Sequence, residues 1–235
     1  MRSILITGNK GFIASGLKGD GFDIKIPGEN NDIITYTAEQ DYDVVIHTAA
    51  MTSVTESMEK PSDYIWTNVL GTLNMLQQHP ESHFVYLSTA SVYGEGENHT
   101  VQSELKPASV YASSKLAGEY LVKNFAKSWV ILRLTNVVGP GERGEPNVYQ
   151  IFEKSDVLTI YGDGLQTRDF IHVDKVRQAI MNSFDKQGIF NVGSGVSRTV
   201  LDVAKEFNKP LKFMPARLGE IRNFGVKDAF NPNSL

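Results

Sequence analysis

The chain contains no cysteine, which excludes a disulfide framework, thiolate metal sites and a cysteine nucleophile together. It has no apolar run near the ~20 residues that a spanning helix needs. The short run Ile4–Ile6 breaks at Gly8, too early for a secretion signal, so a cytoplasmic location is expected and no membrane partner. Basic charge is also scarce: 23 Lys and Arg face 27 Asp and Glu, for a net charge of -4. Nothing there could neutralise a phosphate backbone, so no nucleic acid is expected as a partner. His47 and His172 have no partner at metal-ligand spacing, so no metal is expected. Internal repeats, low-complexity tracts and charge blocks are missing as well.

What is present is an ordinary globular composition, 235 residues of which 41% are hydrophobic, enough for one sizeable core. Short β-branched runs at Ser3–Thr7, Val44–Thr48, Phe84–Ser88, Val130–Leu134 and Ile189–Val192 read as buried strands. Between them, Asp63–Gln78, Tyr111–Lys127, Asp174–Phe184 and Thr199–Phe207 carry apolar residues at helical spacing, the last capped by Ser197 or Thr199. Strands alternating with helices predict an α/β, doubly wound parallel sheet. Gly and Pro gather at Gly139–Gly141, Gly144, Pro146 and Gly162–Gly164, which places irregular connections after the main sheet. The expected division is a main domain over 1–140 and 169–205, with a small subdomain over 141–168 and 206–235.

Thr7-Gly8-Asn9-Lys10-Gly11-Phe12-Ile13-Ala14 follows the first strand directly and is predicted to open the first helix. Gly8 permits a tight turn, Gly11 lets backbone approach a pyrophosphate, and a helix N-terminus would turn its N–H groups toward that anion. The second strand is expected over Phe22–Ile26. No clear acid for the ribose stands out behind it; Glu29, Lys18 and Lys25 are the nearby charges. The reading favours NAD and leaves NADP open. Asp32 and Ile33 are expected to approach the adenine ring.

Tyr111 and Lys115 stand four residues apart, so on a helix they share one face. An unperturbed phenol is protonated near neutrality, and a neighbouring ammonium favours its ionised form, as a base for a sugar hydroxyl requires. Ser88, Thr89 and Ser91 follow a strand at its carboxyl end, where open α/β sheets bind ligands. Thr89 is the first choice to hydrogen-bond the reacting oxygen. His47 and His172 sit beside apolar runs and are expected to be hydrogen-bonded structural residues.

Taken together, several segments resemble the NAD-dependent epimerase/dehydratase family, extended short-chain dehydrogenase/reductases that act on nucleotide sugars. They are the Gly8 turn, His47-Thr48-Ala49-Ala50, Asn68-Val69-x-Gly71-Thr72, Ser88–Gly94, Tyr111–Lys115, Arg133–Gly141 and Arg168–Val173. The match runs in the family's order over almost the whole chain. It implies a Rossmann-type fold with a small C-terminal substrate-binding subdomain, and a catalytic set of Thr89, Tyr111 and Lys115. It also implies a dinucleotide site made by Gly8, Gly11, Phe12, Ile13, Asp32, Ile33, Ala49, Ala50, Thr52, Asn68, Ser88, Tyr111 and Lys115. The nucleotide-diphosphate sugar falls to Thr89, Ser91, Asn136, Arg168 and Arg217, arginine suiting phosphate by its fixed fork of donors. A homodimer through a helix bundle that includes the Tyr111 helix is a further implication.

Dehydratases of the family carry acidic residues directly after the catalytic Thr, where this chain has Ala90 and Ser91. Reversible hydride transfer without elimination is left, which makes a nucleotide-sugar 4-epimerase the expected activity. A 4-keto-sugar reductase using NAD(P)H is the competing enzyme, and a non-catalytic dinucleotide-binding protein the competing class. Two departures shrink the expected binding surfaces: Gly16–Asp32 is short for a helix, a strand and a ribose loop, and few residues follow Arg217.

Overall fold

A computed structural model of the protein describes residues 2–23, 32–141, 147–216 and 221–229. The first half of the chain runs through β1 (Ile4–Thr7), β2 (Asp20–Phe22), β3 (Val44–His47), α1 (Val54–Glu59), α2 (Pro61–Tyr64), α3 (Gly71–Gln78), β4 (His83–Thr89) and β5 (Gly96–His99). Then come α4 (Val110–Phe125), β6 (Ser128–Leu134), β7 (Asn136–Val138), α5 (Val148–Lys154), β8 (Leu158–Tyr161), β9 (Thr167–His172) and α6 (Val173–Met181). The last elements are β10 (Gly188–Val192), β11 (Ser197–Thr199), α7 (Val200–Lys205), β12 (Leu211–Met214) and β13 (Phe224–Val226).

Six strands form one sheet in the order β10-β6-β4-β3-β1-β2, and every neighbouring pair is parallel. The aliphatic runs follow from burial on both faces. Because side chains alternate across a strand, Ile6, Ile46, Val85, Leu87, Val130 and Leu132 join one core layer. Leu5, Val45, Phe84, Tyr86 and Ile131 join the other. Met75 and Leu76 of α3 and Val122 of α4 complete the second layer, and Val173, Val176, Ala179 and Ile180 of α6 complete the first. The order of strands reverses at β1, between β2 and β3, so a crevice opens at the carboxyl ends of β1 and β3.

The small sheets lie beyond the main one: β11-β9-β7, β12-β8 and β13-β5. They draw Phe152, Leu158, Ile160, Val203 and Ala204 into a separate cluster, while Phe224 and Val226 pack on Ala90, Val92 and Tyr93.

The structure corrects the sequence reading at the first helix, the second strand and the Asp63 helix. The glycine turn opens no helix: between β1 and β2 the chain makes only a 3-10 turn over Ala14–Gly16. The reason lies in Gly16, Gly19 and Gly21, each of which lowers helix propensity by about 1 kcal/mol. Gly19 and Gly21 also pass so close to β1 that a Cβ would lie 2.9 Å from the Ile4 carbonyl oxygen and 2.8 Å from that of Ile6. The second strand ends at Phe22 instead of running to Ile26, and residues 24–31, with Lys25 and Glu29, lie outside the described residues. The expected Asp63–Gln78 helix is interrupted by a π-helical stretch, Ile65–Leu70. That wider turn rotates the face, so Tyr64, Asn68 and Met75 are buried while Ile65 is exposed.

Candidate active site

The crevice is built by cross-ties between β1 and the end of β3. Thr48 Oγ1 donates to the Thr7 carbonyl (2.6 Å), and the Ala49 N–H donates to Thr7 Oγ1 (3.2 Å). Gly8, at φ 69°, lies so close that a Cβ would be 3.0 Å from the Ala49 backbone, so only glycine fits this left-handed turn without strain. His47 is fully buried, with Nδ1 2.9 Å from Thr7 Oγ1 and Nε2 3.0 Å from Thr72 Oγ1. Burial, with Lys115 as a second cause, pushes its pKa down to about 3, so it is a neutral strut, as expected from sequence. His172 likewise caps α6, its ring accepting from the Asp174 N–H.

Asp23 is the residue that sequence reasoning misses. It follows β2 directly and is 5% exposed, while the Gly8 N–H donates to the preceding carbonyl of Phe22 (2.8 Å). An acid at the end of the second strand is where doubly wound folds hold a ribose hydroxyl, ordinarily about 20 residues beyond the glycine turn. Here the helix is missing and the spacing is compressed, which hides the signal. Asp32, by contrast, spends Oδ1 on the Ile34 N–H of its own turn (3.0 Å). Ile33 is 1% exposed within the core.

Asn68 lies within the π-helical stretch, a feature that recurs at functional sites. Fully buried, it accepts from the Met51 N–H (2.9 Å), donates to the Met51 carbonyl (3.0 Å) and donates to Ser114 Oγ (2.9 Å). It thus joins the segment following Ala49 and Ala50 to α4 beside Lys115. Thr52, on that segment, is exposed.

α4 starts at an N-cap, Ser109, whose Oγ accepts from the Ala112 N–H (3.1 Å). Tyr111 is therefore in the first turn of a 16-residue helix, where the positive end of the helix dipole favours an anion. Lys115, one turn on, is 3% exposed and rests 4.2 Å above the Tyr86 ring. Burial pushes its pKa down to about 7, against the opposing pull of Glu119. Tyr86 belongs to β4, and Gly118 lets α4 press upon it, since a Cβ there would meet Tyr86 Oη at 2.0 Å. The same strand ends in Thr89, whose Oγ1 donates to Ser91 Oγ (3.1 Å) and accepts from the Ser91 N–H (3.2 Å). Tyr111, Lys115 and Thr89 thus sit on one packed pair of elements.

A buried polar chain supports that pair. Ser88 Oγ donates to Glu119 Oε1 (2.5 Å), and Arg133 holds Glu119 in a two-pronged ion pair through Nε (3.0 Å) and Nη2 (2.6 Å). Arg133 Nη1 also reaches Tyr93 Oη (2.9 Å), which donates to Asn191 Oδ1 (2.7 Å). Asn191 then donates to Asp228 (2.6 Å). The Ser88 hydroxyl is engaged in this structural chain.

On the outer side, Asn136 Nδ2 donates to the Asp169 carbonyl (3.3 Å), and Arg168 Nη1 donates to the carbonyls of Thr167 (2.7 Å) and Arg222 (3.2 Å). Both lie on the neighbouring strands β7 and β9. Arg217 lies outside the described residues. Ala90 is fully buried in a cluster with Tyr93, Phe224 and Val226.

These residues fit a nicotinamide dinucleotide. Gly8 at positive φ follows β1, the buried Asp23 follows β2, and Tyr111 and Lys115 lie one turn apart on α4, the residue types that pyrophosphate, ribose and reactive ring demand. Among the described residues no group of His, Asp and Glu could hold a metal ion, and no helix is long and apolar enough to cross a membrane.

Residues 23–193 match the profile of the NAD dependent epimerase/dehydratase family. The chain belongs to that family. Its members are NAD-dependent enzymes acting on nucleotide sugars. The chain is 31% identical over 227 residues to the UDP-glucose 4-epimerase of Pasteurella multocida (strain Pm70), covering 78% of this chain and 67% of that one. It is 30% identical over 190 residues to the dTDP-D-glucose 4,6-dehydratase of Dictyostelium discoideum, covering 70% of this chain and 44% of the relative. The chain therefore spans about half to two thirds of the length of these relatives. Among solved structures it resembles MoeE5 in complex with UDP-glucose and NAD, at a TM-score of 0.85 and 27% identity, covering 99% of this chain and 91% of that one. The UDP-glucose 4-epimerase of Thermus thermophilus in complex with NAD gives 0.83 and 26%, covering 96% and 90%.

Proposed function

We propose that the protein is a nucleotide-sugar 4-epimerase that holds NAD at the Gly8–Asp23 crevice and works on the C4 hydroxyl of a sugar attached to a nucleoside diphosphate. The observation that supports this reading is the packed pair α4–β4, which carries Tyr111 and Lys115 on the helix and Thr89 at the end of the strand, while Ala90 is sealed in the core. Bound NAD supplies reversible hydride acceptance at the sugar carbon. Tyr111 takes the hydroxyl proton and later returns it; the first-turn dipole and the Lys115 ammonium both favour its ionised form. Thr89 orients the sugar oxygen, with Ser91 as its hydrogen-bonded neighbour. Lys115 also holds the nicotinamide ribose. Asn136 and Arg168, and Arg217 with them, take the diphosphate.

Elimination of water needs a further acid and base beside Thr89. Ala90 has neither, and Ser91 has no group that ionises near neutral pH, which favours epimerisation over 4,6-dehydration even though several relatives are dehydratases.

Purified protein incubated with UDP-glucose is expected to yield UDP-galactose without net consumption of NAD. Tyr111→Phe is expected to lower kcat by about 10³ with NAD binding retained. Turnover unchanged in that variant would remove Tyr111 as the base. Release of a dehydrated keto sugar, or stoichiometric NADPH consumption by a 4-keto sugar, would replace the epimerase with a dehydratase or a reductase.

A further inference from the structure

A pyrophosphate turn ordinarily leans on the helix behind it, which fixes the turn's peptides and contributes about half a positive charge at its N-terminus. In this chain three 3-10 residues, Ala14–Gly16, stand in that place. In a continuing helix the carbonyls of Phe12 and Ile13 would accept the N–H groups four residues on, but the Leu17 N–H turns back to Ala14 (2.9 Å). Arg177, from α6 on the far side of the sequence, takes up both carbonyls. Its Nη2 donates to Phe12 O and its Nε to Ile13 O, each at 2.9 Å, while Nη1 is paired with Asp174 at 2.9 Å. Gly16 makes room for this: a Cβ there would lie 2.4 Å from Arg177 Nε and Cζ.

We propose that Arg177 is a positioning residue for the dinucleotide, its guanidinium replacing the missing helix as the brace and the positive charge behind the Phe12–Ile13 peptides. The proposal rests on the reading of Gly8–Ala14 as the pyrophosphate cradle. A planar fork with donors in fixed geometry suits two adjacent carbonyls, and a brace of this kind holds the turn before any ligand arrives, so less order has to be gained on binding.

Titration calorimetry of ADP-ribose and of UDP with the full chain separates the possibilities. Arg177→Ala is expected to weaken ADP-ribose binding about tenfold, a loss of about 1.4 kcal/mol, and to leave UDP within twofold of the unaltered protein. Gly16→Ala, which keeps the arginine but drives its guanidinium off the carbonyls, is expected to do the same and carries the test if Arg177→Ala does not fold. The double variant is expected to lose no more than the weaker-binding single one, because both changes break one contact. ADP-ribose affinity within twofold in either single variant, parallel loss of UDP, or additive losses would overturn the assignment. An unaltered protein that binds UDP but not ADP-ribose would show instead that the cradle reading is wrong, and the brace would fall with it.

Discussion

A carboxylate next to the adenosine ribose accepts hydrogen bonds from free hydroxyls and repels a phosphate on the same ring, and we propose that Asp23 takes this part in the choice between NAD and NADP. Replacing it with Asn keeps the shape and removes the charge. Asp23→Asn is expected to narrow the preference for NAD over NADP by about tenfold or more, measured as the ratio of the two dissociation constants by fluorescence titration. An unchanged ratio would assign Asp23 to structure alone. The residue scale also explains why Lys115 and His47 differ although both are buried. Lys115 retains Glu119 as an opposing charge, whereas the His47 ring meets hydroxyls and aromatic faces and the charge of Lys115 lowers its pKa further.

Among the elements, α4 and β6 are tied by the Arg133–Glu119 pair, whose side chains are 2% and 0% exposed. A buried pair of this kind adds little over an apolar substitute, but removing one partner strands the other charge. Glu119→Gln is expected to cost about 3 kcal/mol, read from the urea midpoint, because Arg133 keeps its charge without an ionic partner; a loss below about 1 kcal/mol would mean that Tyr93 suffices for the guanidinium. The core strands are legible in the sequence because burial on both faces writes an aliphatic run into each of them. α4, α6 and α7 follow from their spacing, with Thr199 as the observed cap of α7. The first helix is misread because a glycine turn after a strand commonly precedes one, and that pattern outweighs the breakers at Gly16, Gly19 and Gly21. The π-helical insertion leaves no trace in a 3.6-residue pattern, since one extra residue only makes the apolar face look imperfect. The small strands β5, β7, β8 and β11–β13 escape such reading, as runs of three or four residues that pair across long stretches of sequence have no periodicity to display.

For the whole molecule, the bundle face is the feature that points outward. The π-helical stretch and α4 pack together, yet Ile65, Trp66 and Tyr120 are 44%, 54% and 52% exposed, and exposed apolar patches mark interaction sites. We propose that a second copy covers it. Light scattering is expected to give twice the chain mass for the unaltered protein and the chain mass for Trp66→Asp; a monomeric unaltered protein would reject the pairing. The flanks of the large sheet show the opposite policy. β2 ends the sheet after three residues with Asp20 exposed, and β10 at the other end is bridged at Asn191 by Ala229. An open strand edge is a template on which foreign chains can stack into fibrils. One border is thus three residues long and the other is interrupted at Asn191, both of which shorten the template offered to a foreign strand.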